Sequence, residues 1–123
     1  MGLDFRPGKA SWSYCGFHRF RLRLAHKIGI DLNQMEGFFR PWAGQLEEDF
    51  VGYSWESVID PIKYLLNHSD CDGILIPWEC SVVAPRLREL VVEWEDGYDK
   101  TNALMLADAM DQCVKEGIDL EFC

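Results

Sequence analysis

The chain is predicted to fold as a single α+β domain spanning 1–123, mainly helical, with a small β-sheet that can join the two termini. Two patterns and one composition lead there. Apolar residues recur at helical spacing over about 13–28, 81–94 and 99–116. The chain ends differ: Leu3–Phe5 is a short apolar stretch, and Ile118–Phe122 alternates apolar and acidic residues as a strand does. At 123 residues, 48% apolar and 27% charged, with seven Phe and five Trp, the sequence has the make-up of a globular domain with large core pieces.

The first strand, Leu3–Phe5, runs into Arg6-Pro7-Gly8-Lys9, a turn by composition. From Ser13 to Ile28, Phe17, Phe20, Leu24 and Ile28 fall on one helical stripe. Residues 20–24 also alternate apolar and basic, so a strand competes there. The longer stripe, with Gly29 as a stop, favours the helix. On it Arg19, Arg23, His26 and Lys27 share the outer face, Arg21 lies beside the stripe one turn after Phe17, and His18 flanks the other side. Residues 31–51 carry Phe38, Phe39, Trp42 and Phe50 without a clear period, and irregular structure with short helical turns is expected. Ser54 can cap a helix beginning at Trp55, and Asp60-Pro61 reads as a cap followed by proline at the first helical position, so a helix either kinks at Pro61 or starts anew there. That helix passes Leu65 and Leu66 and stops near Asn67. The polar loop His68-Ser-Asp-Cys-Asp-Gly73 leads into the apolar run 74–76. The helix over 81–94 places Val83, Leu87, Leu90 and Val91 inward, with Pro85 early enough to be tolerated. Asp99 can cap the last helix, which runs to Glu116 with Leu104, Ala107, Met110 or Asp111, and Val114 along its inner side, and Gly117 ends it.

Charge is unevenly placed. Residues 1–40 hold seven Lys and Arg against three Asp and Glu, a net +4, so the remainder carries −13 to reach the total of −9. An acidic protein of this kind repels nucleic acid, which makes nucleic-acid binding an unfavoured function. No stretch approaches the roughly 20 apolar residues of a membrane span, and the first residues, Met-Gly-Leu-Asp-Phe-Arg, lack an apolar signal region, so a cytoplasmic protein is expected. The five cysteines, Cys15, Cys71, Cys80, Cys113 and Cys123, are odd in number and form no Cys-x-x-Cys pair. That excludes a disulfide framework or zinc ribbon and suggests small buried thiols. The aromatic content leaves room for a homo-oligomer, although no heptad seam is present.

Two places could carry chemistry. In the basic-aromatic segment, Trp12 and Tyr14 can stack on a ring while His18 and Arg21 reach an anion, and the start of the helix offers free N–H groups to a phosphate. The alternative is a helix with its aromatics in the core and its bases in solvent or against the acidic half. In the polar loop, with His68 as position 1, Asp70, Asp72, Gly73, Leu75 and Glu79 fall at positions 3, 5, 6, 8 and 12, the EF-hand offsets for ligands, sharp turn, apolar residue and terminal glutamate. Asp70, Asp72 and Glu79 would be the ligands of a divalent cation. His at position 1 and Ile76 at position 9 depart from that pattern, and an Asx-rich turn explains the same residues. His68, Cys71 and Cys80 could instead join a transition-metal site, though no spacing is diagnostic. Cys15 and His18, at i and i+3, could in principle pair as nucleophile and base, but a buried thiol beside a surface histidine needs less. No glycine-rich phosphate loop occurs.

The stretches Trp12-Ser-Tyr-Cys-Gly-Phe-His-Arg-Phe-Arg21, His68-Ser-Asp-Cys-Asp-Gly73 and Asp99-Lys-Thr101 together resemble a family of small proteins encoded by bacteriophages, prophages and their bacterial hosts. The resemblance covers most of the chain in order. It implies a protein of a mobile element or infected cell, and it supplies no catalytic residue. The function expected from all this is non-enzymatic binding of a small anionic, nucleotide-derived ligand, in a phage setting the sequestration of a host defence signal. The alternatives are an acidic module that occupies a host protein and a metal-binding protein centred on the 68–79 loop.

Overall fold

The computed structural model describes residues 2–69 and 72–123. The chain ends form the centre of a four-stranded antiparallel sheet. Strand β1 (Gly2–Arg6) pairs on one side with β2 (Ser11–Ser13) and on the other with β4 (Leu120–Phe122), which pairs in turn with β3 (Ile74–Leu75). Alternation sets which face is buried: Leu3, Phe5, Leu120 and Phe122 point inward, and Asp4 and Glu121 point out. The register sets Phe5 opposite Phe122, with ring centroids 4.8 Å apart, and Arg6 opposite Glu121. Asp4 and Cys123 exchange two backbone hydrogen bonds of 3.2 and 2.9 Å. The predicted joining of the termini is present. Strand β2 was not foreseen, because three residues of Ser-Trp-Ser have no strand pattern until β1 supplies a partner.

Helix α1 (Tyr14–Lys27) starts where Ser13 stays extended and its Oγ accepts the Gly16 N–H at 2.9 Å. It ends at Gly29, whose φ of +82° a side chain would disfavour, with Ile30 N–H reaching back to the Ala25 carbonyl. Phe17, Phe20 and Leu24 are fully buried, as the stripe requires, and Ile28 is half-buried. Residues 31–57 form short 3₁₀ turns at 32–34, 41–43, 47–49 and 55–57; the first three are as expected of a segment without period, whereas the helix expected from Trp55 is a single 3₁₀ turn capped by Ser54. They are pinned by the Tyr53 N–H to Gln34 and the Glu36 N–H to Tyr53, both at 2.9 Å. Helix α2 (Lys63–Leu66) follows Asp60, whose Oδ1 accepts the Ile62 N–H and which Arg86 grips with Nε and Nη2.

Helices α3 (Pro77–Val91) and α4 (Tyr98–Glu116) form a hairpin. Helix α3 begins four residues before the predicted start, because Pro77 occupies its first turn and Glu79 Oε1 accepts the Ile76 N–H at 2.9 Å. Its inner stripe is the predicted Val83, Leu87, Leu90 and Val91. On α4 the predicted inner side is corrected in part. Ala107 and Met110 are buried as expected, Leu104 and Val114 are exposed, and Asn102, Ala103, Leu106, Ala109 and Cys113 complete the buried side. The 103–107 run is apolar all round, so periodicity alone does not fix the rotation of this helix. Asp99 does not cap α4; Gly97 holds that place, and Gly117 ends the helix at φ +66°. Among the described residues no helix is long and apolar enough to cross a membrane. All the buried apolar residues form one cluster.

Cys80 and Cys113 meet inside this hairpin, while Cys15 and Cys123 are exposed. Burial, then the neighbouring Cys113, pushes the Cys80 thiol up to about 12. The folded state thus holds its proton more tightly than the unfolded chain does. Stability from this source is complete below the unfolded thiol's pKa of roughly 8.5 and is lost as pH rises towards 12. Chemical denaturation at pH 8 and pH 10.5 is expected to show a fall in stability that Cys80→Ala reduces. Thiol titration at pH 8 should label Cys15 and Cys123 well before Cys80.

Candidate functional site

The two aromatic residues chosen from the sequence belong to the core. Trp12 is 2% exposed, stacks on Phe20 at 4.5 Å, and gives its indole N–H to Asp99 Oδ1 at 3.1 Å. Tyr14 is packed half-buried against the same cluster. The four residues Trp12, Tyr14, His18 and Arg21 therefore do not converge on one ligand. Trp12 already has an aromatic partner on its face and a carboxylate on its N–H.

Two bases on the outer face of α1 find acids within the chain. Arg23 pairs with Asp99 at 2.8 Å and lies 3.8 Å over the Trp94 ring, and Lys27 is 3.7 Å from Glu93. These exposed pairs contribute little singly, on the order of 0–1 kcal/mol each. They do explain why bases and acids were placed apart in sequence: they face each other in space.

Arg21 is 2% exposed. Its Nη1 donates to the Leu66 carbonyl at 3.2 Å and the His68 carbonyl at 2.6 Å, and the guanidinium lies 4.7 Å from the Phe17 ring centroid and 5.3 Å from that of Phe38. It thus fastens the end of α2 and the start of the polar loop to α1. The loop is then clamped by His68. The ring nitrogens lie 3.0 Å from the Ser69 carbonyl and 2.9 Å from the Ile74 carbonyl, and the ring stacks 3.6 Å from Phe122. Gly73 is needed there: φ is +101°, and a Cβ would sit 2.9 Å from the His68 ring.

This arrangement bears on the metal reading. Asp70 lies outside the described residues, as does Cys71. Asp72 is exposed, Glu79 is taken up by the α3 start, both His68 nitrogens face carbonyls, and Cys80 is buried. Among the described residues no three His, Cys, Asp or Glu side chains are grouped to hold a metal ion.

Arg21 and the loop start form one wall of an open cleft of about 310 Å³, whose other wall is Phe38, Phe39, Arg40 and Trp42. Arg40 Nη2 lies 3.0 Å from His18 Nδ1. Trp42 is 79% exposed at the rim. No carboxylate is among the described residues lining the cleft. Two of the sequence candidates, His18 and Arg21, are thus placed by it, and Arg40, Phe39 and Trp42 were missed. A usable signal existed: Arg40 stands between two aromatic residues and is the last base before Lys63.

Comparison with protein-family models, curated proteins and solved structures returns no match. What the site can do therefore rests on its own chemistry. It offers the half-buried Arg40 guanidinium beside the His18 ring, the buried Arg21 guanidinium behind it, and the exposed ring of Trp42 near Phe39, which packs on Phe50.

Arg21→Lys keeps the charge but loses the planar fork that spans two carbonyls. It is expected to destabilise the protein by roughly 1–3 kcal/mol, and Arg21→Ala by more, since buried carbonyls then lose their donors. Urea denaturation of the two variants checks this; equal stability to the parent would make the clamp incidental.

Proposed function

We propose that this protein is a non-enzymatic binding protein for a small anionic ligand, nucleotide-derived, and that the Arg40 cleft is where the ligand sits. The observation that carries this reading is the meeting of Arg40 with the exposed Trp42 ring in a cleft that the buried Arg21 backs. Trp42 supplies the face on which a base would stack, worth roughly 1–3 kcal/mol per ring, and Arg40 supplies donors for a phosphate. The likeness to small phage-encoded proteins adds a setting to the proposal: a cytoplasmic protein that sequesters a host defence signal.

Calorimetric titration with a panel of mono-, di- and cyclic nucleotides tests the reading. One phosphate-bearing nucleotide is expected to bind at micromolar concentration, more weakly as salt rises. Arg40→Ala should cost at least tenfold, about 1.4 kcal/mol, and Trp42→Ala severalfold, both with the melting temperature kept. If no nucleotide binds at high micromolar, the proposal falls.

A further inference from the structure

The largest concavity among the described pockets, about 570 Å³, lies at the C-terminal end of α1 and shares no lining residue with the Arg40 cleft. Its apolar walls are Ile28 and Ile30, just past the helix, with Met35, Tyr53, Val58 and Ile59 from the irregular segment. Ile59 is 95% exposed and Tyr53 55%. Large apolar side chains are placed at this rim, and their own chain does not cover them.

The groove is also polar in one sense only. Asp31 and Asp60 line it, and no Lys, Arg or His does. Arg86 reaches Asp60 with two nitrogens, at 3.0 and 2.8 Å, and neutralises that carboxylate. Asp31 spends one oxygen on the Asn33 N–H and keeps the other. The last carbonyls of α1 point the negative end of the helix towards the same place. The same groove on a second copy would bring Asp31 against Asp31, so local charge argues against self-pairing through this face.

We propose that this groove docks a short segment of a partner protein in which a large apolar side chain is flanked by Lys or Arg. The apolar residue fills the space between Ile28, Met35 and Val58, under Ile59. The neighbouring cation meets Asp31 and the helix end, with the Tyr53 ring beside it. This site is independent of nucleotide binding, and either can fail without the other.

The test is fluorescence anisotropy on the full chain with a labelled twelve-residue peptide alternating Leu and Lys, beside one with Glu in place of Lys and one with Ser in place of Leu. The Leu/Lys peptide is expected to bind at least tenfold more tightly than the other two. The double variant Tyr53→Ser/Ile59→Ser should weaken it at least fivefold with an unchanged melting temperature, and Asp31→Asn at least twofold. Glu47→Gln/Glu48→Gln, outside the groove, should leave it as it was. The proposal is overturned if no peptide binds, if the Ser/Lys peptide binds as well as Leu/Lys, or if the variant at 47 and 48 matters as much as the groove variant. It is also overturned if sedimentation equilibrium shows a dimer that Ile59→Ser abolishes, because the occupant is then a second copy.

Discussion

Phe5 is the contact on which the rest of the structure hangs. It touches Trp12, Phe17 and Phe122, with ring centroids 5.9, 5.8 and 4.8 Å away. One side chain near the start of the chain therefore ties the β1–β2 hairpin, helix α1 and the last strand into a single packing unit. Aromatic pairs at these distances contribute about 0.5–1.5 kcal/mol each beyond the area they bury. Their larger effect is on register. A shift of one residue in β1 would turn Phe5 to solvent and Asp4 into the core, so the β1–β4 pairing admits one alignment.

The candidate cleft is mounted on that unit by two polar side chains. Phe122 carries the His68 ring, His68 closes the loop ends at Ser69 and Ile74, and Arg21, lying over Phe17, holds the His68 carbonyl. A guanidinium buried in this way has a structural task. It also places a positive charge behind the cleft wall, where a bound anion would feel it at reduced dielectric. The same residue thus answers both readings of the basic-aromatic segment, and Trp12 answers only the structural one.

Much of this was legible from local pattern. Helix α1, its cap at Ser13, its stop at Gly29 and the inner stripe of α3 follow from periodicity and capping chemistry, which act within a few residues. The pairing of the termini was legible because alternation shows at both ends. The inner face of α4 was not, since residues 103–107 are apolar at every position and only contact with α3 fixes the rotation. The cleft was half legible. His18 and Arg21 sit on a periodic helix, whereas Phe39, Arg40 and Trp42 sit in a segment whose conformation is set by distant partners such as the Gln34–Tyr53 hydrogen bond. Asp70, on which the EF-hand spacing depends, falls outside the described residues, as does Cys71 of the transition-metal alternative.

The uneven charge of the chain has a consistent spatial meaning. Of the bases in residues 1–40, Arg23 and Lys27 meet acids at 99 and 93, so part of the +4 is answered inside the molecule. Arg40 lies beside the His18 ring, which orients the guanidinium. At physiological ionic strength charges are screened over roughly 8 Å, so the distant acids that make up the −9 weigh little at the cleft. Arg21 and Arg40 line the cleft, and Asp31 and Asp60 line the α1 groove. What either place offers a ligand is thus set by the side chains within a few ångströms of it, and the net charge of the whole chain predicts neither.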